Sequence, residues 1–318
     1  MQEVSVVIPN YNGLAYLDGV LSSLERQTLK KFEVILVDNG SDDGSCAFVM
    51  ENYPWVHMVE LNENFGFCRA VNEGIRMARA KYVLLLNNDT EVEQDFLEQM
   101  LEGIQRHKKA FSCAAKMIQF DNRKKLDDAG DFYCALGWCY ARGKDKDTEL
   151  YQKEEKIFAS CGGAAIYRKK VFEEIGYFDE EHFAYLEDID IGYRARIHGY
   201  ENWFLPKAKV YHVGSGTTGS RYNQFKTRYS SRNNVYLIYK NMPWMQIVLN
   251  LPFLAAGFGI KLLFFSLKGM GKEYMAGIKN GFQISAKGNK VKFCWKNMKN
   301  YCKIQWELWR NIIHRFYV

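Results

Sequence analysis

The sequence predicts an α/β fold, in which helices flank a mostly parallel sheet and a helical extension follows at the C-terminus. Two observations predict the sheet: short runs rich in Val, Ile and Leu recur over the first ninety residues, and amphipathic segments separate them. This alternation is typical of βαβ units. A third observation predicts the extension, because an apolar stretch and a basic, aromatic-rich tail follow residue 240. We therefore predict an α/β domain over residues 1–240 and an extension over residues 241–318.

The first ninety residues are predicted to form four strands and three helices. The strands are Val4–Pro9, Phe32–Asp38, Trp55–Leu61 and Tyr82–Asn87, and the helices lie near Leu14–Gln27, Gly44–Asn52 and Ala70–Ala80. Turn-forming Asn, Asp and Gly residues follow each strand. Because ligands bind beyond the carboxyl ends of strands in parallel sheets, these four loops form the candidate site. An ordinary turn is the alternative for any single loop, since the same residues dominate turns.

The sequence lacks the glycine-rich phosphate loops of two common nucleotide-binding classes. It contains neither G-x-G-x-x-G after the first strand nor G-x-x-x-x-G-K-[ST], which argues against a dinucleotide-binding domain and a P-loop NTPase. Any bound phosphates therefore need another counter-charge, and a divalent cation is the natural one.

After the fourth strand, the sequence predicts an excursion and then two more helices and a strand. The charged stretch Arg123 to Lys156 is a loop or a hairpin, and the small residues Ser160 to Ala165 allow close approach of the backbone to a ligand or another segment. Helices are predicted at Arg168–Ile175 and Glu187–His198, and a strand ends at His212.

Six segments between Val4 and Thr218 resemble, in order, the motifs of family 2 glycosyltransferases with the GT-A fold. They are VSVVIPNYNG, VILVDNGSDDGS, NFGFCRAVNEGI, VLLLNNDTEV, GYFDEEHFAYLEDIDIGYRARIHGY and VYHVGSGTTG. The resemblance implies a Rossmann-like GT-A domain that transfers a sugar, with inversion, from a nucleotide diphosphate to a hydroxyl of a lipid-linked or polysaccharide acceptor. It favours the rhamnosyltransferase-like branch of cell-surface polysaccharide synthesis, with dTDP-rhamnose or a UDP-sugar as donor.

The resemblance also implies a set of donor-binding residues. They are Pro9, Asn10, Tyr11, Asp38, Asn64, Gly66, Arg69, Asn87 and Asn88. The first three are expected to line the base, and Asp38 to accept a hydrogen bond from it. For Asp38, an Asx-turn that closes its own loop is the alternative.

The segment Asn87–Asn88–Asp89 corresponds to the family's Asp-x-Asp signature. The resemblance implies that Asp89 and His212 bind Mg²⁺ or Mn²⁺ and that Asn87 contacts ribose. Because a neutral amide replaces the first carboxylate, weaker metal binding and metal independence stay open. The alternatives are a solvated turn and a structural histidine. The small residues Ser215 to Gly219 predict a flexible loop that closes over donor phosphates.

The acids of YLEDIDIGYR are candidates for the base that deprotonates the acceptor hydroxyl. The resemblance implies that Asp188 is the base and that Glu187 orients the acceptor, with Gly162, Gly163, Asp190 and Arg194 as further acceptor residues. A base on the acceptor side implies a single displacement. The alternative is that acids near a helix N-terminus cap free amides, which explains one carboxylate better than adjacent ones.

The apolar stretch Pro243 to Gly269 is interrupted by Gln246, Asn250, Pro252 and Lys261, so it predicts helices in a membrane interface over a full crossing. Downstream, apolar residues recur at helical spacing at Tyr301, Leu308, Trp309, Ile312, Ile313 and Phe316. The alternative is a helical pair packed on the α/β domain, or on a second copy in a homodimer.

The net charge of +6 is concentrated in the tail. From Lys261 to Val318, 12 Lys and Arg accompany two acids, which leaves 31 against 35 in the preceding residues. We expect this tail to contact an anionic membrane surface and not nucleic acid. The eight cysteines show no C-x-x-C pair, and no signal-type segment precedes the first strand. We therefore expect reduced thiols and a peripheral position on the cytoplasmic face of the cell membrane.

Two other functions stay open. A sugar nucleotidyltransferase usually carries a Gly-rich segment with Arg and Lys after the first strand, which IPNYNGLAYLDG lacks. An inactive scaffold subunit of a polysaccharide assembly complex is favoured by the altered Asp-x-Asp signature. Loss of turnover on replacement of Asp188 distinguishes an enzyme from a scaffold.

Overall fold

The computed structural model describes residues 2–214 and 222–318, so the predicted closing loop at Ser215 to Gly219 lies outside the described residues. The strands are β1 Val4–Asn10, β2 Phe32–Asp38, β3 His57–Glu60, β4 Tyr82–Leu86, β5 Thr90–Val92, β6 Ala110–Gln119, β7 Leu126–Asp128, β8 Asp131–Cys134, β9 Trp138–Ala141, β10 Glu155–Ile157, β11 Ala164–Arg168 and β12 Glu201–His212. The helices are α1 Leu14–Glu25, α2 Ser45–Asn52, α3 Phe67–Met77, α4 Phe96–Arg106, α5 Lys169–Ile175, α6 Glu187–Ile197, α7 Gln224–Asn241, α8 Trp244–Leu267, α9 Gly271–Lys287 and α10 Met298–His314.

The first half of the sheet is parallel, as the sequence predicts. Strands β4, β1, β2 and β3 lie side by side in that order. They are runs of branched apolar residues because both faces are covered: α1, α2 and α4 pack on one face, and α3 and α5 on the other. The polar residues that follow these strands therefore meet at one edge of the sheet.

The second half of the sheet is mixed. Strand β11 runs antiparallel between β4 and β6, and β12 runs parallel to β6. The short strand β5 pairs antiparallel with the end of β12, so that Thr90 lies opposite His212. The charged excursion contains β7, the hairpin of β8 and β9, and β10. The pairing of β5 with β12 matters most for function, because it brings His212 beside the loop after β4.

Helix α10 packs on the α/β domain. Its residues Tyr301, Ile304 and Leu308 are buried in the same core as Phe158 and Tyr193. For α10, the alternative is therefore the one observed: this helix packs on the α/β domain.

Helix α8 is, among the described residues, the one helix long and apolar enough to cross a membrane, and its two faces are reversed relative to an ordinary surface helix. The face that packs on protein carries Gln246, Asn250, Leu254 and Gly257. Gln246 accepts a hydrogen bond from Tyr193, and Asn250 pairs with Gln305. The exposed residues are large and apolar, and include Trp244, Val248, Leu249, Leu251, Ile260, Leu263 and Leu267. The polar interruptions Gln246 and Asn250 therefore face protein, and many of the large apolar residues face outwards.

Candidate active site

A cavity of about 720 Å³ opens beyond the carboxyl ends of β1 and β4. We call it the active-site cavity. The predicted site residues that line it are Pro9, Asn10, Tyr11, Asn64, Gly66, Asn87, Asn88, Asp89, Gly163, Glu187, Asp188 and His212. Residues predicted separately for the nucleotide, the metal and the base thus share one cavity.

The donor side of the cavity is held by a chain of hydrogen bonds across three strand ends. Asn88 donates its amide to the Oδ1 atom of Asn10 at 2.7 Å, and Asn10 donates to the Oδ1 atom of Asp38 at 2.8 Å. Asp38 is buried and also accepts from the backbone amide and hydroxyl of Ser41. Asp38 therefore forms the Asx-turn and positions Asn10. Asp38 is not among the residues that line the cavity in this structure, and its hydrogen bond to the base stays a prediction.

The loop after β3 is fixed by side-chain amides. Asn39 donates to the Oδ1 atom of Asn64 at 2.9 Å, and the same oxygen accepts from the backbone of Gly66. Gly66 has a φ of 87°, and a β-carbon there would collide with the ring of Phe183. Only glycine fits this place between the donor loop and the segment that precedes α6. The sequence prediction did not include Asn39, which also lines the cavity.

Arg69 does not reach the active-site cavity. Its guanidinium lies 2.8 Å from Glu73 and 3.2 Å from Glu180. These two carboxylates form ion pairs with the guanidinium at the surface of α3, where the Arg69 side chain is 43% exposed. In this structure Arg69 belongs to a surface ion-pair group, and its contact with the donor stays a prediction.

Asp89 and His212 meet at the cavity wall. The Nε2 atom of His212 lies 3.3 Å from the Oδ1 atom of Asp89, and the amide nitrogen of Asn87 lies 3.5 Å from the same Nε2 atom. The Nδ1 atom of His212 lies 2.8 Å from Asp127, a residue of β7. Burial opposes a charge on this imidazole, but the hydrogen bonds with Asp127 and Asp89 outweigh it and raise the pKa of His212 to about 9.

This group fits a divalent cation. A carboxylate and an imidazole converge from two elements, and Asp127 holds the far nitrogen of the imidazole, as second carboxylates do at many metal sites. The cation would displace the proton that His212 otherwise carries. Lys144 forms an ion pair with Asp127. Burial would raise the pKa of Asp127, but His212 and Lys144 outweigh it and lower this pKa to about 2. Asp127 was not predicted as a site residue, because it lies in the charged stretch Arg123 to Lys156.

The acceptor side of the cavity is built on a strained segment before α6. Phe183, Tyr185 and Leu186 have φ values of 61°, 74° and 65°, a region that residues other than glycine rarely adopt. Asn233 of α7 donates to the carbonyls of His182, Ala184 and Tyr185, each at 2.8 Å. Strain of this kind is found at functional sites, where surrounding structure maintains it. Helix α7 therefore supports the residues that face an acceptor.

Asp188 and Glu187 face the cavity from the first turn of α6. The backbone amide of Gly162 donates to the Oδ1 atom of Asp188 at 3.0 Å, so Gly162 acts from behind the wall as a support for this carboxylate. Burial and the neighbouring Glu187 raise the pKa of Asp188 well above its usual range. Burial also raises the pKa of Glu187 to about 7. A base with a pKa raised towards neutrality is suited to proton abstraction.

Glu187 carries an unsatisfied acceptor. Its Oε2 atom is buried and has no hydrogen-bond partner among the residues that the structure describes. A buried carboxylate oxygen without a partner is uncommon in native proteins, and a substrate hydroxyl would satisfy it. This agrees with the predicted role of Glu187 in orienting the acceptor, which stays a prediction.

Asp190 and Arg194 lie on the opposite side of α6 from the cavity. Arg194 and Lys240 bind the Oδ2 atom of Asp190 at 2.8 and 2.9 Å, and Asn241 binds the Oδ1 atom at 2.7 Å. Burial opposes ionisation, but the two cations hold the pKa of Asp190 well below its usual range. Asp190 joins α6 to α7, whereas Arg194 binds backbone carbonyls of residues 175–177 at the end of α5. Neither side chain lines the active-site cavity in this structure, and their contact with the acceptor stays a prediction.

A second acidic group lies behind Asp188. Ligand atoms of Asp128, Asp131 and Cys161 lie within 4.8 Å of one another. Burial raises the pKa of Asp128 to about 6, and burial and Asp128 raise the pKa of Asp131 well above its usual range. Burial likewise raises the pKa of the Cys161 thiol well above its usual range. The charge of Asp128 is one of the causes that raise the pKa of Asp188, so this group acts electrostatically on that carboxylate.

Residues 5–176 match the family model described as glycosyl transferase family 2. The chain belongs to this family. It is therefore a glycosyltransferase, and its sheet and flanking helices form the GT-A fold.

Two relatives of this glycosyltransferase are, by name, a rhamnosyltransferase and a poly-N-acetylglucosamine synthase. The N-acetylglucosaminyl-diphospho-decaprenol L-rhamnosyltransferase of Mycobacterium tuberculosis is 25% identical over 237 residues, which cover 67% of this chain and 77% of the relative. The poly-beta-1,6-N-acetyl-D-glucosamine synthase of Staphylococcus aureus is 23% identical over 231 residues, which cover 70% of this chain and 53% of the synthase.

Solved structures share the fold at low identity. GalNAc-T7 with UDP, GalNAc and Mn²⁺ matches with a TM-score of 0.61 and 17% identity, over 75% of this chain and 48% of that one. TarS of S. aureus matches with a TM-score of 0.52 and 20% identity, over 83% of this chain and 43% of that one. The chain thus spans about half the length of these structures.

Proposed function

We propose that this glycosyltransferase transfers a sugar from a nucleotide diphosphate to a hydroxyl of a lipid-linked glycan in cell-surface polysaccharide synthesis, with inversion. One observation carries the proposal: the pair Asp89 and His212 and the pair Glu187 and Asp188 line the same cavity. A group that can hold a diphosphate and a group that can take a proton are the two requirements of this reaction.

The donor is held by the loops after the parallel strands. The amides of Asn10, Asn64 and Asn88 present polar groups to the nucleotide, and Tyr11, which is 36% exposed, can stack on the base at the rim. A divalent cation bound by Asp89 and His212, with help from the Asn87 amide, would neutralise the diphosphate as it leaves.

Asp188 provides the chemistry on the acceptor side. We assign it the removal of the acceptor hydroxyl proton as that oxygen attacks the anomeric carbon and the bond to the nucleotide diphosphate breaks. The unsatisfied Oε2 atom of Glu187 would accept a hydrogen bond from a neighbouring acceptor hydroxyl. Because attack and departure occur on opposite faces of the sugar in one displacement, the configuration at the anomeric carbon inverts.

The substrate class follows from the relative that acts on a diphospho-decaprenol. Its name supports dTDP-rhamnose as the first donor to examine and a lipid-linked N-acetylglucosamine as the first acceptor, with a UDP-sugar as the second donor. These substrates are proposals for this chain.

The reversed faces of α8 support a peripheral position on the cytoplasmic face of the cell membrane. Large apolar side chains such as Trp244, Leu263 and Leu267 are exposed, while polar ones pack on protein. A soluble surface rarely displays an apolar face of this extent, whereas a lipid interface stabilises it. The basic tail adds attraction to anionic lipids. A homodimer that covers the same face is the alternative.

A transfer assay tests the proposed function. The full-length protein is incubated with dTDP-rhamnose or UDP-N-acetylglucosamine and a synthetic lipid-linked N-acetylglucosamine, and the product is analysed by NMR. We expect a glycoside whose anomeric configuration is opposite to that of the donor. Retention of configuration would contradict the single displacement, and release of nucleotide monophosphate would contradict glycosyl transfer.

A further inference from the structure

A second cavity of about 510 Å³ lies between α7 and α9, beside the active-site cavity. We call it the cationic cleft, and its lining residues are Gln224, Phe225, Arg228, Tyr229, Arg232, Glu273 and Asn280. Phe225 also lines the active-site cavity, so the two are adjacent. Two arginines against one carboxylate give the cleft a net positive charge.

The two arginines differ in how they are held. Arg232 donates to the carbonyls of Glu181 and His182 and lies over the Tyr229 ring, 4.6 Å from its centre. Arg228 is exposed, and no described residue forms an ion pair with its guanidinium. Arg228 therefore keeps its planar set of donors for a ligand, and such sets suit phosphate oxygens.

The start of α7 also contacts the C-terminal end of α8. Thr227 of α7 contacts the sulfur of Met270 at 3.5 Å, and the ring of Tyr222 lies 5.7 Å from that of Phe264. Near this end of α8, Leu263 and Leu267 are 63% and 81% exposed. The exposed apolar end of α8 therefore contacts the beginning of the helix that lines both the cationic cleft and, through Phe225, the active-site cavity.

We propose that the cationic cleft binds the diphosphate of a prenyl diphosphate-linked acceptor. The prenyl chain would lie along the exposed face of α8, and the glycan would pass Phe225 into the active-site cavity towards Asp188. This inference rests on the proposed function and names how the acceptor is recognised. The order of the three surfaces matches the order of chain, diphosphate and sugar in such a molecule. The donor diphosphate has its own place at Asp89 and His212 on the other wall.

Helix α7 connects the cationic cleft to the strained segment that precedes α6. Arg232 reaches from the cleft to the carbonyls of Glu181 and His182, and its neighbour Asn233 holds the strained segment that lines the active-site cavity. A diphosphate in the cleft would therefore contact the same helix that positions the residues facing the acceptor sugar. The same helix, α7, would therefore bind the lipid headgroup and support the residues that position the sugar.

Direct binding to the full-length protein tests the proposal, with farnesyl diphosphate as the probe. We expect Arg228→Glu to weaken its binding at least about tenfold, which is the loss of one charge-assisted contact or more. Lys303→Glu is the matched control, because it makes the same charge change at an exposed position of α10 that is not part of the cleft. Its effect should stay within about twofold. Farnesol and inorganic diphosphate should each bind more weakly to the wild type than farnesyl diphosphate does.

Equal losses of binding in the two variants would indicate a general effect of surface charge and would overturn the proposal. Farnesol that binds as tightly as farnesyl diphosphate would also overturn it. Inorganic diphosphate that binds as tightly as farnesyl diphosphate would indicate a site for free anions and would likewise overturn it. Binding of dTDP or UDP is measured in parallel and should be unchanged by Arg228→Glu. Failure of the wild type to bind any nucleotide diphosphate would contradict the proposed function. The comparison of farnesyl diphosphate binding by Arg228→Glu and Lys303→Glu does not depend on that result.

Discussion

Replacement of Asp188 by Asn is expected to lower turnover by about 10²- to 10⁴-fold, the usual contribution of a general base. The substitution preserves the shape of the side chain and leaves an oxygen to accept the bond from the Gly162 amide. It removes the group that takes the acceptor proton, and nothing on the donor side changes. The dissociation constant for the nucleotide diphosphate should therefore stay within about twofold of the wild-type value.

Asp95→Asn is the control for this variant, because Asp95 is exposed at the start of α4 and makes no capping hydrogen bond with its side chain. It should leave turnover unchanged. If Asp188→Asn kept turnover within tenfold of wild type, the base would lie elsewhere. Loss of nucleotide binding together with turnover would instead indicate damage to the fold of the site.

The pH dependence of the wild type provides a second reading of the same pair. Burial raises the pKa of Glu187 to about 7, and burial with Glu187 raises that of Asp188. A base must be deprotonated to act, so turnover should fall as pH decreases through the apparent pKa values of the pair. The acid limb should lie well above the range near pH 4 where an ordinary aspartate titrates.

Replacement of Asp190 by Asn is expected to lower the free energy of unfolding by about 3 to 5 kcal/mol. The residue is fully buried, and its carboxylate neutralises Arg194 and Lys240 between α6 and α7. The variant leaves two buried cations with less compensation, although Lys240 keeps its contact with Asp179. Chemical denaturation monitored by fluorescence measures the change.

The control for this variant is Glu174→Gln, which removes a carboxylate that pairs with His198 at the surface, where Glu174 is 51% exposed. An exposed pair of this kind contributes less than about 1 kcal/mol. Equal destabilisation by the two variants would contradict the structural role given to Asp190. An unchanged stability with a raised KM for the acceptor would restore its predicted role at the acceptor.

The parallel half of the fold and its donor loops were predictable from the sequence. Each buried strand is a run of branched apolar residues closed by turn-forming ones, and parallel order places all such turns at one edge. Asn10, Asn64 and Asn88 lie in these loops and line the cavity together, and the family resemblance implied their role at the donor. The pattern is local, so a short stretch of chain is enough to reveal it.

Two of the predicted site residues, Asp190 and Arg69, do not line the cavity in this structure. Asp190 is two residues after Asp188, and positions two apart on a helix do not share a face. Helical geometry alone therefore separates the base from the structural carboxylate. Arg69 follows the donor loop closely, but its partner Glu180 comes from a distant part of the chain. No local pattern reveals that pairing.

The other features that the sequence did not predict depend on contacts between distant segments. Asp127 reaches His212 only because β7 and the end of β12 both lie along β6. The polar residues of α8 looked like interruptions of a membrane segment, and they instead pair with residues of α6 and α10. Such partners are set by tertiary packing, which the spacing of polar residues does not encode.

The proposed donor site is tested by the effect of nucleotide diphosphates on the melting temperature of the full-length protein, with Mn²⁺ and with a chelator. We expect dTDP or UDP to raise the melting temperature more than ADP does, and the chelator to reduce this increase. His212→Ala should reduce it in the same way, because it removes one of the two proposed metal ligands. A melting temperature that no nucleotide diphosphate changes, with or without Mn²⁺, would contradict the donor site on which the proposed function depends.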